Sequence, residues 1–128
     1  STLLAHDTFD VYCNQMLESG TNPDLTYLSQ VVYNCCQNES CCKPLVEKPY
    51  YESILSACSL KTEKMNWNIV KTIKVMVDDK TSKDLMLKTC CAGTLSKVSQ
   101  ATHDAELKLL CGKILNGMSG RRSTVTYS

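Results

Sequence analysis

Residues 21–36 read TNPDLTYLSQVVYNCC, a helical apolar pattern that leads directly into two adjacent cysteines. Thr21 is suited to cap a helix, and Pro23 suits the first turn, where the N–H group that proline lacks is not needed. Apolar residues then recur with the spacing of one helix face, at Leu25, Leu28, Val31, Val32 and Cys35. The segment therefore predicts a helix with one buried face that ends in a pair of sulfur atoms.

The same helical spacing is found on both sides of this segment. Upstream, an apolar pattern ends at Gly20, a residue that suits the position just after a helix. Downstream, residues 37–44 are predicted to form a cysteine-bearing loop, and a short helix is predicted after Pro49. Thr62 is suited to cap the next helix, whose buried face is predicted at Met65, Ile69, Ile73 and Met76.

The last third of the chain is also predicted to be helical. Ser82 caps a helix that reaches Cys90, Gly93 interrupts it, and a final helix ends near Gly117. Residues 119–128 form a polar tail with a β-like run at residues 124–126. The predicted fold is all-α, a single disulfide-stapled bundle of about five or six helices over residues 1–118, followed by the tail at 119–128.

Length and charge exclude several classes of protein. The chain has 128 residues, which is the size of one domain, and its 14 Lys and Arg nearly balance its 13 Asp and Glu. Bulk nucleic-acid binding normally needs a basic excess, which is absent. No run approaches the ~18 apolar residues of a membrane-spanning helix. The chain opens without the apolar core of a signal peptide, so we expect that any such signal has been removed.

The nine cysteines follow an ordered pattern along the chain. They form two sets in the order single, doublet, single, with one of Cys41 and Cys42 taken as a single cysteine. The first set is Cys13, Cys35-Cys36 and Cys41 or Cys42, and the second set is Cys58, Cys90-Cys91 and Cys111. Adjacent cysteines rarely bond each other, so each doublet is expected to reach two different helices. We predict the pairs Cys13–Cys36, Cys58–Cys91 and Cys90–Cys111, with Cys35 joined to Cys41 or Cys42. Other pairings stay open, because spacing does not determine connectivity.

So many cysteines predict a secreted, extracellular protein, since cytosolic thiols stay reduced. Asn38-Glu39-Ser40 agrees with this, because it is an acceptor sequence for N-glycosylation at Asn38. The odd count leaves one surplus cysteine, assigned to Cys41 with Cys42 as the alternative. That sulfur is either buried as a free thiol or bonded to a second copy of the chain, and we favour the homodimer.

The repeated single, doublet, single order resembles that of the serum albumin and vitamin D-binding protein family. The segment from Leu25 to Cys58 is most similar, and the resemblance extends from Tyr12 to Cys111. It rests on cysteine order, and the intervals between cysteines differ from those of the family. The resemblance implies a carrier of apolar small molecules.

No pattern of catalytic or metal-binding residues stands out, so we predict that the protein is not an enzyme and holds no metal or cofactor. His103-Asp104 follows a cysteine doublet, as in secreted phospholipase A2, but at a longer interval and without a glycine-rich calcium loop. A helix cap at Thr102-His103-Asp104 explains these residues better. Adjacent cysteines chelate one tetrahedral zinc ion poorly, so disulfides are the preferred interpretation of the doublets.

Methionine is frequent in the predicted core, which suits an adaptable apolar site: the chain has five Met but one Phe and one Trp. The leading hypothesis is a secreted helical binding protein that carries a lipid, sterol or pigment-like molecule between its helices. The predicted lining residues are Phe9, Met16, Leu28, Val32, Ile69, Ile73, Met76, Leu109 and Ile114. The alternative is a structural or signalling protein, either a matrix, coat or foam component or a cytokine-like ligand, that acts as a disulfide-linked dimer.

Overall fold

The computed structural model describes the backbone of residues 7–127 and the side chains of residues 7–118. Eight helices account for this part of the chain. They are α1 (Asp7–Ser19), α2 (Asn22–Cys36), α3 (Glu39–Val46), α4 (Tyr51–Cys58), α5 (Glu63–Asp78), α6 (Lys83–Met86), α7 (Cys91–Ala101) and α8 (Ala105–Tyr127). The all-α class is confirmed, whereas the predicted number of helices is too low.

The connection between α1 and α2 forms as predicted. Gly20 adopts the left-handed conformation with φ +65°, and its N–H donates to the Met16 carbonyl at 3.1 Å, which ends α1. The Thr21 hydroxyl accepts from the Asp24 N–H at 3.3 Å, and Pro23 lies in the first turn of α2. These interactions join residues close in sequence, which is why the pattern of residue types predicted them.

The cysteine-bearing segment after α2 is helical and does not form the predicted loop. The Asn38 side chain accepts from the Ser40 N–H at 3.1 Å and caps α3. Pro44 lies inside α3, which ends two residues later at Val46. Proline weakens a helix interior because its missing N–H removes one backbone bond. The Asn38 cap and the burial of four apolar side chains of α3 outweigh that loss.

The helix break predicted at Gly93 is wrong, because Gly93 lies within α7. The chain instead breaks before Cys91 and again around Thr102, whose backbone is extended. The Asp104 carboxylate accepts from the N–H groups of Glu106 and Leu107 at 3.0 and 3.2 Å, which starts α8 anew. Helix α8 also continues past Gly117, and its backbone is helical through residues 124–126, where a β-like run was predicted.

One apolar core extends from Phe9 to Met118. Helix α5 is central to it and packs against α2, α4, α6, α7 and α8. The predicted stripe of Met65, Ile69, Ile73 and Met76 is fully buried in the core. No helix in the described part of the chain is both long enough and apolar enough to cross a membrane.

Candidate functional site

The first cysteine cluster lies where α2 meets α3. The sulfurs of Cys36 and Cys42 both contact the last turn of α2. The Cys36 thiol donates to the Tyr33 carbonyl at 3.1 Å, and the Cys42 thiol donates to the Cys36 carbonyl at 3.4 Å. Cys36 and Cys42 are both completely shielded from solvent, whereas Cys35 is partly accessible. The fold therefore brings the doublets at 35–36 and 41–42 together at one helix junction.

The cysteines of the second set occupy separate parts of the core. The Cys58 thiol donates to the Leu25 carbonyl of α2 at 3.5 Å. The Cys91 thiol donates to the Met86 carbonyl at 3.2 Å, and the backbone N–H of Cys90 donates to the Glu52 carboxylate at 2.9 Å. Cys111 is buried on α8. Disulfide stapling is thus still a prediction, since no two sulfurs are bonded to each other in the described part of the chain.

Burial makes the thiols poor nucleophiles. It raises the pKa of Cys36 and Cys58 to about 12, and that of Cys13, Cys42 and Cys111 to about 11. A reactive cysteine needs a lowered pKa and access to solvent, because the thiolate is the attacking species. These five thiols therefore have the environment of structural residues.

Within the described residues, no group of three or more His, Cys, Asp or Glu side chains is placed to hold a metal ion. The pair His103-Asp104 forms the predicted cap: His103 is exposed, and Asp104 starts α8. The Trp67 indole N–H donates to Asp104 at 2.8 Å, which lowers the pKa of that carboxyl. Trp67 thus packs at the edge of the core, with its polar atom bound to a helix cap.

The predicted ligand-lining residues lie mostly inside the closed core. Seven of them are buried within the single apolar cluster and pack against its other members, namely Phe9, Leu28, Val32, Ile69, Ile73, Met76 and Ile114. Met16 is half-buried and packs against the same cluster. Leu109 is 61% exposed, so its predicted place between the helices is wrong. Leu107 and Cys111 face the core from α8, and Leu109 lies between them on the opposite face.

Ile114, one of the predicted lining residues, borders a cavity. A surface groove of about 170 Å³ lies between α5 and α8. Its walls are formed by Lys74, Val77, Asp78, Leu110, Lys113, Ile114 and Gly117. Apolar side chains from both helices and two lysines line the groove together, and the Lys74 amine bonds Asp78 at 2.6 Å. We refer to this feature as the α5–α8 groove.

A second cavity of about 220 Å³ lies beside the cysteine junction. It is lined by Glu39, Cys42, Val75, Asp78 and Asp79. Three carboxylates line this cavity and no lysine or arginine of the described part of the chain does, so it disfavours an anionic molecule. The α5–α8 groove is therefore the better candidate for ligand binding.

Some polar contacts between distant parts of the chain have no signal in the sequence. The buried Asn68 amide donates to the Ser29 hydroxyl at 3.0 Å and joins α5 to α2. The Tyr50 hydroxyl donates to the Asp10 carboxylate at 2.6 Å and joins residues that are 40 apart in sequence. Polar residues at helical spacing occur widely, and only the packed fold shows which of them meet.

Asn38 and Cys41, which were both predicted to act at the surface, differ in their exposure to solvent. Asn38 is exposed, as an acceptor for a glycan must be, although its side chain already caps α3. Cys41, the predicted surplus cysteine, is only 7% exposed. A bond from its sulfur to a second chain would require that sulfur to become more accessible. Comparisons with protein families, with curated proteins and with solved structures found no match to this chain. The resemblance to the albumin family, which rests on cysteine order, therefore stays a prediction.

Proposed function

We propose that the protein is a secreted, non-enzymatic helical binding protein that holds an apolar small molecule bearing a carboxylate. The observation that carries this proposal is the α5–α8 groove. Val77, Leu110 and Ile114 supply apolar wall there, and Lys74 and Lys113 line the same groove. A fatty acid is the class of ligand that matches both parts.

The charges of the groove determine which end of a ligand would lie where. The Lys74 amine is already bonded to Asp78, which partly neutralises it. Lys113 forms no ion pair with another residue of the described part of the chain, so its amine is available to a carboxylate. The ligand carboxylate is therefore expected at Lys113, with the apolar portion against Ile114 and Leu110.

The size of the groove limits how much of a ligand it encloses. Its volume of about 170 Å³ is below the ~300–1,000 Å³ of a typical enclosed small-molecule site. A long acyl chain would therefore be held over part of its length, and the rest would lie along the surface of α5 and α8. We expect micromolar rather than nanomolar affinity, because binding energy follows the apolar area removed from water.

Secretion and disulfide stapling belong to the same proposal. Nine cysteines in a 128-residue chain favour an oxidising compartment, and the exposed Asn38 is compatible with a glycan. The buried thiols with raised pKa support structural roles for the cysteines.

Native mass spectrometry before and after organic extraction tests for a bound ligand. Titration with a fluorescent fatty acid, followed by displacement with a non-fluorescent one, then tests the groove. Lys113→Glu is expected to weaken binding about tenfold or more, because a repulsive charge replaces an attractive one. Lys108→Glu, on an exposed position of the same helix, is the matched control and should bind like the parent. Absence of an extractable ligand and of fatty-acid binding would refute the carrier function.

A further inference from the structure

We propose that Cys36 and Cys42 form a disulfide bond that joins the last turn of α2 to the middle of α3. This pairing differs from the Cys13–Cys36 bridge expected from cysteine order. The proposed disulfide does not depend on the proposed ligand. Its only link to the proposed function is that both assume an oxidising compartment.

The contacts of the two thiols place them on the same part of α2. Cys36 contacts the Tyr33 carbonyl at 3.1 Å, and Cys42 contacts the Cys36 carbonyl at 3.4 Å. Carbonyl groups three residues apart are neighbours along one side of a helix, so both sulfurs lie at that side of the last turn. Within Cys36, the carbonyl carbon and Cβ are both bonded to Cα. The Cys42 sulfur contacts the Cys36 carbonyl, so it also lies near the Cys36 side chain.

The short link between the helices holds this arrangement. The Asn38 N–H donates to the Cys35 carbonyl at 3.1 Å, and the Cys41 N–H donates to the Asn38 carbonyl at 2.9 Å. The Asn38 side chain caps α3. Because backbone bonds fix both helix ends, the turn that separates the two cysteines is held in a defined conformation.

The surroundings of Cys13 favour Cys42 over Cys13 as the partner of Cys36. Cys42 is the cysteine that most affects the titration of Cys36, whereas the cysteine that affects Cys13 is Cys35. The Cys13 thiol also contacts Tyr50. Cys13 thus interacts with the outer member of the doublet, whereas Cys42 of α3 contacts the inner member.

The bond forms by oxidation of two thiols. A disulfide donor such as oxidised glutathione accepts the two electrons and two protons and leaves as two molecules of its thiol, while the Cys36 and Cys42 sulfurs join. The step proceeds through a mixed disulfide. Since exchange requires a thiolate and both sites are closed to solvent, we expect the bond to form during folding, before the core closes.

Peptide mapping of the unreduced wild-type protein tests the pairing directly. The protein is refolded from its reduced form in a glutathione redox buffer, blocked with iodoacetamide and cleaved after Glu39. Fragmentation of the linked peptides then assigns each sulfur of the adjacent cysteines. A Cys36–Cys42 link supports the proposal. A Cys36 linked to any other cysteine, or alkylated Cys36 and Cys42, would overturn it.

Single substitutions give a second readout that uses free thiols. Cys36→Ser is expected to leave one newly alkylated cysteine, at position 42, and Cys42→Ser to leave one at position 36. Cys13→Ser is the control and should leave both Cys36 and Cys42 protected. The reciprocal result, in which Cys36→Ser exposes Cys13, would establish the pairing expected from cysteine order and contradict ours. Wild-type mapping decides the question even where a variant does not fold.

Discussion

The hydroxyl group of Tyr51 lies in the core without a hydrogen bond. Tyr51 is fully buried, and no group in the described part of the chain bonds its hydroxyl. Its nearest titratable neighbours are thiols, among them Cys36, Cys42 and Cys91. Burial raises the pKa of Tyr51 well above its ordinary value, so the hydroxyl stays neutral. An unsatisfied buried hydroxyl costs ~1–3 kcal/mol of stability.

Removing that hydroxyl should stabilise the protein. We expect Tyr51→Phe to raise the free energy of unfolding by about 1 kcal/mol, since the ring still fills the core and the unsatisfied group is gone. Urea denaturation followed by circular dichroism measures the change. Tyr50→Phe is the matched control: it removes a hydroxyl that donates to Asp10 at 2.6 Å and should destabilise. A lower stability of Tyr51→Phe would show that the hydroxyl is hydrogen-bonded in solution.

At the scale of helices, the fold could be predicted wherever the signals are local. Thr21 and Thr62 cap α2 and α5 within three residues of the N–H groups that they bind, so residue order alone indicates both helices. The break between α6 and α7 has a different origin. The Cys90 N–H donates to the Glu52 side chain of α4, a contact 38 residues away in sequence. Periodicity contains no information about such a contact.

The candidate site was less predictable than the helices for the same reason. Ile114 was indicated by its spacing, but Lys74 and Lys113 belong to different helices and meet only in the fold. Leu107, Leu109 and Leu110 lie within one turn of α8, and periodicity does not decide which of them faces the core. The packing of α7 and α5 against α8 selects Leu107 and leaves Leu109 in solvent.

Carboxylates at helix ends should make the fold sensitive to acid. Hydrogen bonds lower the pKa of Asp10, Glu63, Asp79 and Asp104 from ordinary values of 3.8 for Asp and 4.5 for Glu. A carboxyl with a lowered folded pKa stabilises the fold above its unfolded pKa and loses that effect as pH falls through its folded pKa. We therefore expect the free energy of unfolding to be level above about pH 5 and to fall below about pH 4.5.

Asp104→Ala tests this at one helix junction. It removes the cap of α8 and the acceptor of the Trp67 indole, so the variant should be less stable at neutral pH and show a shallower decline in acid. Asp84→Ala, at an exposed position, is the control and should follow the parent curve. The free energy of unfolding is measured by chemical denaturation between about pH 3 and pH 7, a range that covers the titration of carboxyl groups. An unchanged acid profile in Asp104→Ala would contradict this account.

At the scale of the whole molecule, the cysteines belong to the core rather than to the surface. Seven of the nine are buried, and Cys35 and Cys90 are the two with intermediate exposure. The buried sulfurs lie in one cluster with the central helix α5. Bridges within the chain would therefore brace the packing of the helices, and an interchain bridge needs a sulfur that reaches the surface.

We accordingly expect the refolded, oxidised protein to migrate as a monomer of 14.3 kDa in non-reducing electrophoresis. The band should move more slowly after reduction, because internal bridges keep the denatured chain compact. This outcome favours the carrier over the dimeric structural or signalling protein. A reducible dimer that disappears in Cys35→Ser or Cys90→Ser would place the interchain bond at an accessible sulfur. A dimer that persists in both variants and disappears in Cys41→Ser would contradict this expectation, because Cys41 is buried at 7% exposure.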